Sequence, residues 1–293
     1  MQMINFELAN PKKNQAMLTQ DKVTAIFCLV DDMLKGINYK EPSSRKMNDS
    51  EVITTAYVSA LYFGGHMEHS MAFMKMTGMI PDMLSKSRFC RRLHKCKDLV
   101  IEMFAQLGRH LKAIAGADAY IIDTFPVASC QNVRISRSRL FKGESFRGYT
   151  RGMRQWFYGV KVEVLTTQSG IPVEFCFVPG GEHDHQALYK LPLDLSPQSQ
   201  VFADAAFTDY QVEDNLLDAD QIQMMVQRKS NSQRKDPPWI YFIKDQMRKR
   251  IETTFSQIKA LFLRNIHAVT AEGFLIKLML FIMAFTLDQS IQN

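Results

Sequence analysis

Cysteine is scarce and unpatterned in this 293-residue chain: the five residues Cys28, Cys90, Cys96, Cys130 and Cys176 are odd in number and include no CxxC pair. That excludes a disulfide scaffold and a zinc ribbon, and it points to reduced thiols and a cytoplasmic location. Cys90, His94 and Cys96 fall close together on an expected helix, where packing and solvent contacts account for them. The stretch MQMINFELANPKKNQ lacks the apolar core of a secretory signal. Long apolar runs are missing except GFLIKLMLFIMAFTL, Gly273 to Leu287, which falls short of the ~20 residues a span needs and contains Lys277. It reads as a core helix, with no membrane partner. Acidic residues are in modest deficit, 30 against 36 Lys and Arg, for a formal charge of +6. Only the placement of those cations can say whether a polyanion is bound.

What is present is an apolar fraction of 46% and a charged fraction of 23%, the composition of a globular protein with room for one large domain or two ordinary ones. Up to about residue 115 the periodicity is helical. Val23, Ile26, Phe27, Val30 and Leu34 recur at spacings of three and four. Asn48-Asp49-Ser50 caps a helix that Gly64-Gly65 ends, and Met67 to Met76 forms a third. Ser85 or Ser87 caps MLSKSRFCRRLHK, and a long helix covers about Asp98 to Ile114. After Gly116 the pattern becomes strand-like in AYIIDTFPVA, WFYGVKVEVLTT and GIPVEFCFV. A helix from GGEHDHQALYKL, a strand in QVFADAAF, the helix TDYQVEDNLLDA and a strand in QIQMMVQ follow. Helices from about Tyr241 to Leu263 and Ala271 to Leu287 close the chain. The division is therefore 1–115, all-helical, and 116–293, an α/β region with a mixed sheet.

Asp123 interrupts the apolar strand AYIIDTFPVA, and burying an ionised carboxylate without a partner costs several kcal/mol. Asp204 sits among Ala203, Ala205 and Ala206, small neighbours that let a ligand approach. Asp209 has a local use, since Thr208 to Gln211 fits a capping box with Thr208 as the cap. On the later helix, Glu252 lies about 40° from Arg248 and Lys259 about 20° from it, a narrow polar stripe beside the apolar positions Met247, Ile251, Phe255, Ile258 and Phe262. Asp123, Asp204 and Glu252 are oxygen donors of the kind that select Mg²⁺ or Mn²⁺. Two such ions, about 4 Å apart, can activate an attacking hydroxyl and stabilise the leaving oxygen of a phosphodiester.

In this order the elements resemble the RNase H-like catalytic domain of DDE transposases from bacterial insertion sequences. LSKSRFCRRLH, IIDTFPV, FYGVKVE, ADAAFTDYQVEDNL, MVQRKSNSQR and RKRIETTFSQIK are similar to the insertion-sequence nine-eighty-two family, over about Asn48 to Leu287. The resemblance implies Asp123, Asp204 and Glu252 as catalytic and metal-binding acids, with Arg248 and Lys259 contacting phosphate or orienting Glu252. The family's helix carries a Tyr where this chain has Asp245, so that residue's role does not transfer. Cleavage at inverted-repeat ends, attack of the freed 3′-hydroxyl on target DNA, and a homodimer on double-stranded DNA are implied as well. A metal-dependent nuclease that cuts without joining, or a DNA-binding protein whose acids are relics, would carry the same residues.

The cations are grouped accordingly. Arg134, Arg137, Arg139, Lys142, Arg147, Arg151 and Arg154 are opposed only by Glu144, a one-sided run suited to tracking phosphates. Arg228 and Lys229 open a second run, with Arg234 and Lys235. Trp239 follows two prolines, where it either packs under the loop or stacks on an extruded base. Arg88, Arg91, Arg92 and Lys95 share much of one helix surface and form a candidate DNA-contacting face.

Overall fold

The computed structural model describes residues 18–292 apart from 117, 151–153 and 263–265. Five helices come first: α1 (Gln20–Gly36), α2 (Asp49–Tyr62), α3 (Met67–Met76), α4 (Lys86–Lys95) and α5 (Lys97–Ala115). Each arises where its apolar periodicity predicts. α1 buries Val23, Ile26, Val30 and Leu34, one stripe at helical spacing. α2 opens with a reciprocal capping box between Asn48 and Glu51 and is buried nearly all round, which makes it the centre of the helical layer. Ser85 is the N-cap residue of α4.

The sheet contains β1 (Ala119–Gln131), β2 (Arg147–Thr150), β3 (Gln155–Thr167), β4 (Pro172–Pro179), β5 (Gln200–Ala203) and β6 (Gln223–Val226). Their order is β2-β3-β1-β5-β6, and β4 pairs with β3 as well. β3 runs antiparallel to β1, β2 and β4, whereas β1, β5 and β6 are parallel. A mixed six-stranded sheet of this kind, flanked by helices, is consistent with an RNase H-like domain. The short β2 lies inside the basic segment, where the sequence shows no strand pattern.

Alternation along the strands sends side chains to two cores. One face of the sheet, with Ile121, Phe125, Val160, Val162 and Val164, packs with the front helices and with α8 (Pro238–Leu261) and α9 (Ala271–Gln292). The other, with Tyr120, Ile122, Leu165 and Val201, is covered by Leu188, Leu191, Leu193 and the region of α7 (Tyr210–Asp220). The front helices thus share a continuous core with the sheet. α5 presses so closely on β4 that a Cβ at Gly108 would lie 2.1 Å from the Val173 carbonyl oxygen, and the buried Lys112 and Glu174 pair across the same contact at 2.7 Å.

Two expectations change. α9 continues past Leu287, and over Ala271–Ile291 it has the length and hydropathy of a membrane span; 67% of that apolar window is buried inside the protein, as in a core helix. α7 is capped by Asp209, whose side chain accepts from the Gln211 and Val212 amides, and not by Thr208. Asp209 stands one residue nearer the helix, where a single carboxylate oxygen meets both amides.

Candidate active site

β1 carries Asp123 toward the face covered by α8. Asp204 is the residue immediately after β5, where it caps a 3-10 turn and accepts from the Ala206 amide at 2.6 Å. The parallel register pairs Ile121 with Phe202, so two residues further along both strands Asp123 and Asp204 come side by side. Their proximity is felt electrostatically. Burial pushes the Asp123 carboxyl up to about 7; the negative charges of Asp204 and Asp184 add to that, while the Thr124 amide and Arg248 oppose it. The Thr124 amide donates to Asp123 Oδ1 at 2.7 Å. Two carboxylates forced together at a half-buried strand end are a seat for a positive charge that no protein side chain fully supplies.

α8 delivers the other polar residues. Arg248 Nε lies 3.4 Å from Glu252 Oε1, and Nη1 donates weakly to Gln227 Oε1 at 3.5 Å. Glu252 is 57% exposed and paired outward with that arginine. Among the described residues no three His, Cys, Asp or Glu side chains converge as a metal site. The structure therefore brings Asp123 and Asp204 together and leaves Glu252 one residue away, linked through Arg248. Lys259 holds its ammonium 5.1 Å from the centre of the Phe125 ring. Apolar surroundings keep it below the ordinary lysine range, and the charge of Asp123 pulls the other way.

Hard oxygen donors fit a divalent cation at Asp123 and Asp204. A dication would lower the Asp123 carboxyl and offset the repulsion between the two acids. Glu252 would have to leave Arg248 to join them.

Two further acids bear on this pair; the sequence marks Asp184 as a cap of the helix after the third strand, with a minor role in DNA or metal positioning open, whereas Glu163 escaped it. Asp184, in the first turn of α6 (Asp184–Ala187), pairs with Lys161 at 2.9 Å and acts on Asp123 electrostatically. A lysine in the middle of the apolar run FYGVKVE was the available signal. Glu163 lies opposite Thr124 on β3, fully buried. Among the described residues its Oε1 and the Thr124 Oγ1 both lack a partner. Cys176 Sγ donates to Oε2 at 3.6 Å, and burial pushes this carboxyl up to about 8.

The cations divide into free and occupied. Arg88, Arg91 and Lys95 are exposed on α4. Arg92 is not available to DNA: it ion-pairs with the buried Asp49 and donates to the Met47 carbonyl. Amphipathic spacing put it on the same surface, but that edge of α4 meets α2. Arg134, Arg137, Arg139, Lys142 and Arg154 are exposed, and Arg151 lies outside the described residues. Arg147 stacks over Trp156 at 4.5 Å and meets Glu144 at 3.3 Å. Arg228 is half-buried, its guanidinium taken up in a two-pronged pair with the buried Glu213; Lys229 is exposed. Trp239 does not pack under the loop. Pro238 starts α8 earlier than the periodicity suggests, and Trp239 stands 64% exposed in its first turn beside Tyr241 and Phe242.

The family described as "Transposase DDE domain" matches residues 115–268, from the last residue of α5 past the end of α8. No curated protein and no solved structure matches the chain. The matched segment contains all three acids and more than half of the sequence, so the chain belongs to the DDE-domain transposase family.

Proposed function

We propose that the protein is an insertion-sequence transposase of the nine-eighty-two type, which cuts the inverted-repeat ends of a mobile element and joins the 3′-hydroxyl to target DNA. The pairing of Asp123 with Asp204 carries this reading. Asp123 and Asp204 would hold Mg²⁺ or Mn²⁺, and Glu252 would complete a two-ion set. When bound, the ions supply activation of water or hydroxyl and stabilisation of the leaving oxygen.

The chain's own residues do the rest. Deprotonated Asp123, fixed by the Thr124 amide, presents its carboxylate on the helix-facing side of β1. Arg248 is freed when Glu252 turns inward and is then placed to meet phosphate. Lys259, held over Phe125, keeps a positive charge behind the acids. Arg134, Arg137, Arg139, Lys142 and Arg154 would follow the DNA backbone toward the site, with Arg88, Arg91 and Lys95 as a second contact. Trp239, exposed at the start of α8, would stack on a base at the DNA end. The helical front region, 1–115, would serve DNA binding and dimerisation, and the protein would act in the cytoplasm as a homodimer on DNA. The testing experiment is cleavage and strand transfer on the DNA ends flanking the gene, in Mg²⁺. Transfer of a precut end separates a transposase from a nuclease, and full activity in Asp123→Ala, Asp204→Ala or Glu252→Ala would refute the site.

A further inference from the structure

Away from the acids, a cluster of nitrogen groups lies where the turn between α2 and α3 meets His267 and α9. The His66 and His69 rings stack with centroids 5.2 Å apart, and His267 lies 6.4 Å from His66. Lys277, on the otherwise apolar α9, donates to the His267 carbonyl at 2.7 Å. Among the described residues none of these four forms an ion pair with a carboxylate. Glu68, whose charge reaches His66, is already paired with Lys86 at 2.9 Å.

Among the described residues, each of these groups meets other proton-binding groups and no acid of its own, which disfavours a positive charge on His66 and Lys277. Burial holds the Lys277 ammonium below the ordinary lysine range, with Lys86 adding to the effect and Cys90 opposing it. His66 is lowered by burial and by His69, Lys277 and His267, with Glu68 opposing. His66, His267 and Lys277 surround a cavity of about 10 Å³ beside Gly64 and Gly65. That volume accepts one water-sized oxygen and nothing as large as a nucleotide. Both glycines adopt positive φ, 55° and 79°, so no side chain narrows the entrance there. α3 starts at the same place, and its N-cap residue, His66, makes no side-chain capping bond, which leaves the positive helix end uncovered.

We propose that His66, His267 and Lys277, supported by His69 and the start of α3, form an anion site that seats one oxygen of a phosphate group. Lys277 argues against a metal ion, since a cation would meet an ammonium in the same cavity. The phosphate belongs either to a DNA backbone or to free phosphate; DNA as the source rests on the transposase reading, whereas the site itself does not. The site would hold DNA where the turn between α2 and α3 meets His267 and α9.

The test uses the full chain with Lys277→Met, which keeps the aliphatic stem in α9, and His66→Gln, an exposed position. Thermal midpoints are compared in inorganic phosphate and in chloride at equal ionic strength, and duplex DNA binding is titrated against salt by fluorescence anisotropy. Phosphate should raise the midpoint of the wild type and of neither variant. The variants should bind DNA several-fold more weakly, with the salt slope of log affinity reduced by about one for Lys277→Met. Phosphate protection with unchanged DNA binding assigns the site to free phosphate, and phosphate protection in a wild type that binds no DNA upholds the site while overturning the transposase reading. Variants indistinguishable from wild type in both assays overturn the proposal, as does stabilisation by Ni²⁺ that His66→Gln abolishes.

Discussion

Replacing Asp123 by Asn should stabilise the protein at neutral pH, and the size of the gain follows from the site. The Asp123 carboxyl moves from 3.8 to about 7 on folding, because burial and the charge of Asp204 disfavour its ionised form. The folded state therefore binds more protons than the unfolded state between those values, and stability falls as pH rises through the window. About three pKa units at 1.36 kcal/mol each give a loss of roughly 4 kcal/mol above pH 7, an upper figure because water and side-chain relaxation reduce it. For a chain of this length that is roughly 7 °C in thermal midpoint. Asn has the same shape, still accepts from the Thr124 amide and carries no charge, so the variant should unfold at a higher temperature than wild type near pH 8 and match it near pH 4. Glu163 titrates over an overlapping range, so both proteins must be compared at each pH. Mg²⁺ should recover part of the wild-type loss and leave Asp123→Asn unaffected. Parallel pH profiles for the two proteins would refute the reasoning.

Three further outcomes follow from particular contacts. Arg228→Ala strands the buried Glu213 and should cost about 3 to 5 kcal/mol in urea unfolding; a loss of DNA binding without a loss of stability would restore Arg228 to the DNA interface. Gly108→Ala drives a methyl into the Val173 carbonyl and should lower the thermal midpoint by several degrees, through displacement of α5 from β4. Trp239→Ala should leave stability within about 0.5 kcal/mol, since the ring is exposed, yet weaken binding to DNA with an unpaired end by about 1 to 3 kcal/mol if the ring stacks on a base.

Periodicity made the helices and long strands legible because each presents a continuous apolar stripe to a core. Val23, Ile26, Val30 and Leu34 declare α1, and the alternation of β1 places Asp123 on the helix-facing side. Asp123 and Asp204 were legible because each breaks an apolar pattern without a local reason. What escaped is tertiary. Arg92 and Arg228 look like free cations in one dimension and are held by Asp49 and Glu213 from other elements. Glu163 resembles the polar position of a half-exposed strand, but the region of α7 and Leu188 covers that face of the sheet and buries it completely. The cluster around Lys277 joins residues about two hundred positions apart, and no local spacing brings them together. Glu252 had the right helical phase, yet its rotamer belongs to the pairing with Arg248.

Divalent-ion binding by Asp123 and Asp204 is the central claim of the proposed chemistry. Titration of the full chain with Mn²⁺, followed by the loss of free-ion paramagnetic signal, should show saturable binding in the wild type and in Lys277→Met, and none at the same concentrations in Asp123→Asn or Asp204→Asn. Equal Mn²⁺ binding by all four proteins would contradict it.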